Sequence, residues 1–131
     1  MKTITKLLVT ASLAVLLAHA QDAKPRRVGA SQAKDHVGET AMVCGKVVAT
    51  TIPKYGIAGH GKPVSFYLDQ PESDPVFYFV AFGSESPQEV VNAYQGKSVC
   101  VSGKIDQLPS GRTPFIMAAD RVQVQIDTHA H

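Results

Sequence analysis

The sequence is poor in the features that announce catalysis. No G-x-S-x-G pentapeptide occurs, so the elbow that presents a nucleophilic serine is missing. The glycine-bearing stretch 53–63 lacks the spacing and the terminal Ser or Thr of a P-loop, which removes the usual phosphate cradle of nucleotide hydrolases. The acids are scattered, and Glu72 and Asp74 come together only in a turn. No positioned nucleophile, base or metal cluster is written in the chain, so neither an enzyme nor a bound cofactor or metal is expected.

Long apolar runs are equally scarce. After residue 20 no stretch approaches the roughly 20 residues that a membrane-spanning helix requires. The first twenty residues do carry an apolar centre, with Leu7, Leu8, Val9, Ala14, Val15, Leu16 and Leu17, but Thr10 and Ser12 interrupt it. Lys2 precedes that centre and Ala18-His19-Ala20 closes it. A basic start, a short apolar middle and an A-x-A ending make a cleavable secretory signal, expected over 1–20 with cleavage before Gln21. No cysteine stands near that point, so the new N-terminus has no lipid acceptor. The mature chain is expected to be soluble and periplasmic or secreted, with no membrane insertion after signal cleavage.

A net charge of one sign is missing too. The chain holds 13 basic and 11 acidic residues, and the signal removes Lys2 and Lys6, which leaves 11 against 11. The basic balance therefore belongs to the leader, and any affinity for phosphate has to come from local clustering. There are only two cysteines, Cys44 and Cys100, both beyond the signal. An even count in an exported chain favours a disulfide, with two buried free thiols as the alternative.

What is present is alternation. Residues 21–30, with Lys24, Pro25, Arg26 and Arg27, read as a flexible polar linker. A short helix over 31–36 is expected, capped by Ser31 and ended before Gly38. Ala41, Val43, Val47 and Ala49 recur with a period of two and predict a strand over 41–50. Val64, Phe66 and Leu68 predict a second strand over 64–69 with Tyr67 pointing outward, and 70–75 is a turn. Residues 76–82 are apolar on both faces and form a third strand. Ser86, Pro87 and Glu89 start a helix whose apolar side is Val90, Val91 and Tyr94 and which Gly96 stops. A fourth strand over 98–105 turns Val99, Val101 and Ile105 inward, and a fifth over 115–126 shows its clearest alternation at Val122, Val124 and Ile126.

Three strands, a helix and two strands match the OB-fold, a five-stranded Greek-key barrel with its helix between strands three and four. The expected fold is thus mainly β, with a short extra helix at the N-terminal end. One domain is expected over 31–127, followed by a disordered tail at 128–131. A sandwich is the alternative, because a period of two does not reveal closure. In an OB barrel the first and fourth strands are antiparallel neighbours. Cys44 and Cys100 share one parity, and setting them opposite each other also sets Val43 against Val101 and Gly45 against Val99. That register keeps both inward faces consistent and predicts a cross-strand disulfide.

His36-Val37-Gly38-Glu39, Val43-Cys44-Gly45-Lys46-Val47, Val101-Ser102-Gly103-Lys104-Ile105, Ile116 and Val122-Gln123-Val124 carry a family likeness. With these residues the stretch 31–126 resembles small exported bacterial OB-fold proteins, grouped with the tRNA-anticodon-binding-like, nucleic-acid-binding OB domains. The resemblance implies the fold, and by analogy a binding function.

OB folds bind across strands two and three and between the loops joining strands one to two and four to five. Tyr67 lies on that face, joined by Phe77 and Phe79 if the odd side of strand three is outward, or by Tyr78 if the even side is. Keeping the parity of strand two would turn the even side inward. Helix packing or barrel closure would instead bury these rings. The loop 53–63 offers Lys54, Tyr55, His60 and Lys62 with three glycines, which could cradle an anion but read first as a flexible solvated loop. Arg112 in the other loop would lie beside it and complete a basic rim. His36 reads as a helix-end histidine beside carbonyl groups, and Asp127, His129 and His131 read as a frayed terminus rather than a chelate. The expected partner is single-stranded nucleic acid, bound weakly. The alternative is an envelope protein or component, or a small ligand, as for exported stress-linked OB proteins.

Overall fold

A computed structural model of the protein describes residues 25–53, 62–82 and 86–129. The expected signal at 1–20, Lys54, Tyr55 and His60, and the last two residues of the expected tail lie outside the described residues. In chain order the elements are β1 (Arg26–Gly29), β2 (Thr40–Thr51), β3 (Val64–Leu68), β4 (Tyr78–Ala81), α1 (Pro87–Tyr94), β5 (Ser98–Lys104), β6 (Asp106–Gln107), β7 (Pro114–Ala118) and β8 (Val124–Ile126). Two 3-10 turns cover Ala30–Asp35 and Arg121–Gln123. None of the described helices is long and apolar enough to cross a membrane.

The strands join in the order β6-β7-β4-β3-β2-β5-β8, with β1 set against β2 as an eighth strand. β1 runs parallel to β2 and β4 parallel to β7, and the other pairs are antiparallel. β2 organises the sheet. Its residues 40–46 pair with β5 and its residues 47–51 with β3, and a bulge between Val47 and Ala49 marks the change of partner. A bulge bends and twists a strand, which lets one continuous segment serve both halves of a curved sheet.

The five-stranded closed barrel expected from the sequence is thereby corrected to an open eight-stranded sheet. β5 and β7 pack against each other, but the edge of β7 is taken by β6 and the edge of β5 by β8. β6 follows β5 after Ile105, so the segment that begins as β5 meets β7 through a ladder of only two residue pairs, Asp106 with Phe115 and Gln107 with Pro114. The expected fifth strand over 115–126 is two strands. Asp120 interrupts it: its backbone N–H donates to Gln123 Oε1 at 3.0 Å, and its own Oδ1 accepts from the Val122 N–H at 3.1 Å. That capping arrangement starts a 3-10 turn, so Val122, expected inward, is 75% exposed. Ile126, expected inward as well, is also exposed, while Val124 is buried.

Part of the expected linker is structured. Arg26–Gly29 pairs with 41–44 of β2, and Val28 and Ala30 are buried. The expected helix at 31–36 is a 3-10 turn that begins one residue earlier, at Ala30. Its end and that of α1 do lie where glycine was expected to allow them, with Gly38 at φ +94° and Gly96 at φ +77°. At the other end of the chain, residues 128 and 129 form a turn that folds back on Asp127.

The core follows the predicted alternation in the central strands as far as the bulge, beyond which Ala49 turns to the outer face beside Tyr67. Val43, Val47, Val64, Phe66, Leu68, Val99, Val101 and Ile105 are all fully buried. Cys44 stands opposite Cys100, Val43 opposite Val101 and Gly45 opposite Val99, and the two cysteines are bonded.

Candidate ligand face

The register between β3 and β4 decides which aromatic rings reach the surface. Phe66 pairs with Phe79 and Tyr67 with Tyr78. An even residue thus faces an odd one, and the inward sets are even in β3 and odd in β4. Phe66 and Phe79 stack at 4.9 Å between ring centres, and Tyr94 of α1 meets Phe66 edge-on at 5.5 Å. Phe77 and Phe79, which the sequence left as candidates for the ligand face, are fully buried core residues. Parity is not carried over from strand two, and Tyr78 joins Tyr67 outside.

The parallel pairing of β4 with β7 extends the outer row. Phe115 lies opposite Tyr78, with ring centres 5.2 Å apart and planes 14° from parallel, while Tyr67 and Tyr78 sit at 5.4 Å with a 35° tilt. Tyr67, Tyr78 and Phe115 make one aromatic row across three strands. It ends at β2 on the small side chain of Ala49, the partner of Tyr67. Beside it runs a second row of Thr51, Ser65, Val80 and Met117. Phe115 was not singled out from the sequence. It is itself buried, at 8% exposure, next to fully buried Ile116, and its place beside Tyr78 depends on a parallel pairing between segments 37 residues apart in sequence numbering.

Both tyrosines are held in the neutral phenol form. Partial burial raises Tyr67 above its ordinary value, the Glu72 carboxylate raises it further, and the hydrogen bond with Thr51 opposes the shift. Burial raises Tyr78 as well, with Tyr67 adding to it. Glu72 is anchored near the row by Thr51, whose hydroxyl donates to Glu72 Oε2 at 3.0 Å.

Lys62 and Arg112 do not form one rim. Lys62 precedes β3, which is antiparallel to β4, and Arg112 precedes β7, which is parallel to β4. The two exposed cations therefore come to opposite ends of the face and bracket it. Gln107 Nε2 donates to the Arg112 carbonyl at 2.6 Å and ties that loop to β6. His36 lies at the end of the first 3-10 turn, with Nδ1 2.9 Å from Glu39 Oε2.

A second polar region surrounds the disulfide. Arg27, Gly45, Lys46, Asp69, Ser98, Asp127 and His129 line, with Cys44, an open concavity of about 430 Å³. Arg27 Nη2 donates to Asp127 Oδ2 at 2.6 Å, and the His129 backbone N–H donates to Oδ1 at 3.1 Å. The hydrogen bond from Arg27 chiefly holds the Asp127 carboxyl below its ordinary value of 3.8, burial working against it. A folded value below the unfolded one stabilises the fold above the ordinary value, and that contribution is lost as pH falls through the lowered one. The wild type should thus exceed Asp127→Asn in unfolding midpoint near neutrality, and the gap should close as pH drops from about 5 to about 2. A gap insensitive to pH would show that the pair does not contribute to holding β1 in place.

No family model matches the chain, and no curated protein matches it. Among solved structures it is similar to a chain described as an aspartyl-tRNA synthetase from Leishmania major Friedlin, with 16% identity and a TM-score of 0.44. The likeness covers 71% of this chain and 19% of that one, so the chain spans about a fifth of that protein's length.

Proposed function

We propose that the protein is an exported, non-catalytic OB-type binding module, and that its outer aromatic row takes single-stranded nucleic acid. The OB-fold is a partly open Greek-key barrel. The chain order of β2, β3, β4, α1, β5 and β7 supports this reading, with β1, β6 and β8 additional to it. Export is supported by the basic, apolar and A-x-A parts of residues 1–20 and by the cross-strand disulfide, which suits an oxidising compartment.

The observation that carries the binding reading is the row of Tyr67, Tyr78 and Phe115, whose two tyrosines lie on the strands that OB folds use for ligands. Tyr78 and Phe115 are stacked and Tyr67 is tilted against Tyr78, so bases would add at the Tyr67 end and over the ring edges. Lys62 and Arg112 at the two ends of the face are placed to meet phosphates. Stacking contributes roughly 1 to 3 kcal/mol per base, so Tyr78→Ala is expected to weaken binding of a short single-stranded oligonucleotide by that amount. Affinity should also fall steeply with added salt. Flat fluorescence titrations at low salt would overturn the nucleic-acid reading.

Glu72 beside the row and the balanced charge of the mature chain favour a second reading, an uncharged small molecule or envelope component on the same face. Its mark is binding that persists at high salt and still depends on Tyr78.

A further inference from the structure

We infer that the concavity over the disulfide becomes a divalent transition-metal site when that disulfide is reduced, with Cys44, Cys100 and Asp127 as ligands and the fourth position open to the concavity. The two sulfurs and a carboxylate oxygen of Asp127 already lie within 4.8 Å of one another. The enclosure suits a metal: Cys44 is 8% exposed, Cys100 5%, and the Asp127 side chain 5%. His129 lines the same concavity two residues beyond Asp127, and the open side gives an ion its entry.

The geometry requires little rearrangement. Zinc takes four ligands tetrahedrally, with Zn–S about 2.3 Å and Zn–O about 2.1 Å, which sets neighbouring ligand atoms roughly 3.5 to 4 Å apart. The two cysteines face each other across β2 and β5, held by pairs on either side of them, so their side chains can rotate apart while the ladder keeps their backbones in place. Asp127 is positioned from two sides, by Arg27 on one oxygen and by the His129 N–H on the other. Each oxygen keeps a lone pair for a metal, and partners of this kind orient ligating carboxylates. Two thiolates with a carboxylate select zinc or a similarly soft ion over magnesium or calcium.

The reaction balances with a dithiol as the reductant. Its two thiols deliver two electrons and two protons, the Cys44–Cys100 bond breaks to two thiols, and the dithiol closes to its own disulfide. The divalent ion then displaces one proton from each thiol, while Asp127 binds as the carboxylate it already is. Oxidised protein has no thiolate to offer. Metal occupancy would therefore report the redox state of the compartment the chain is in.

The test uses the full chain, reduced with a metal-compatible phosphine and titrated with Co²⁺ and Zn²⁺ while folding is followed by circular dichroism. One ion per reduced chain is expected, with a thiolate-to-cobalt absorption that Zn²⁺ abolishes, and none for the oxidised chain. Asp127→Ala should weaken binding by at least roughly tenfold, and Cys44→Ser should remove the thiolate band. Reduced protein that stays folded without a thiolate–cobalt band overturns the inference. So does equal affinity of wild type and Asp127→Ala, which is also what an unfolded chain binding through its cysteines alone would give.

Discussion

Replacing both cysteines with alanine is expected to lower the free energy of unfolding by roughly 4 kcal/mol on the chain-entropy model. The bond closes a sequence separation of 56 residues, and a loop of that size restricts the unfolded chain strongly. The native ladder from Thr40–Lys104 to Lys46–Ser98 already holds the two positions opposite each other, so the stabilisation acts mainly through the unfolded state. Single domains have about 5 to 15 kcal/mol in total, and the double variant should therefore unfold at a much lower denaturant concentration. Its m-value should rise slightly, because an unbridged unfolded chain exposes more surface. Equilibrium urea unfolding of the oxidised wild type and of the double variant checks this. Coincident curves would show that the bridge contributes nothing to stability.

Phe66→Ala should cost about 3 to 5 kcal/mol. Phe66 is fully buried and touches elements on both sides of the core, stacking on Phe79 of β4 and receiving the edge of Tyr94 from α1. Removing its ring leaves a cavity bounded by two other aromatic rings, and collapse into it would have to drag α1 across β3. The comparison that matters is with Tyr67→Ala, one residue away on the same strand. Tyr67 is half-buried on the outer face, so its loss should leave the denaturation midpoint far closer to wild type while weakening ligand binding. Similar midpoints for the two variants would overturn the assignment of core and ligand faces.

Much of the fold is legible in the sequence. The period of two in Val64, Phe66 and Leu68 named the inward set of β3 directly. The shared parity of Cys44 and Cys100 predicted the register of β2 on β5 and the bridge itself. The helix starting behind Ser86 and Pro87 and ending at Gly96 was equally plain, because its signals are local. β1 was not visible, since only Val28 and Ala30 of its neighbourhood are buried and two residues set no period. The break at Asp120 carries a local signal, the D-x-x-Q spacing of Asp120 and Gln123.

The candidate face was legible only by half. Tyr67 follows from its neighbours in β3, whereas Tyr78 competed with Phe77 and Phe79 until the register between β3 and β4 was known. A strand whose two sides are both apolar states no inside of its own. Its facing is inherited from the partner it pairs with, and the connection over residues 69–77 sets that offset.

Composition and pattern alone thus determined the apolar alternation of the central strands, the disulfide pairing and the position of α1, because each depends on residues whose spacing is local or whose parity is shared. Tertiary structure alone decided that the sheet stays open, that Phe115 completes the aromatic row, and that Asp127 and Arg27 meet over the bridged cysteines. Those outcomes are made by contacts between distant segments, and which edge of a strand another segment occupies is not encoded in the alternation of either one.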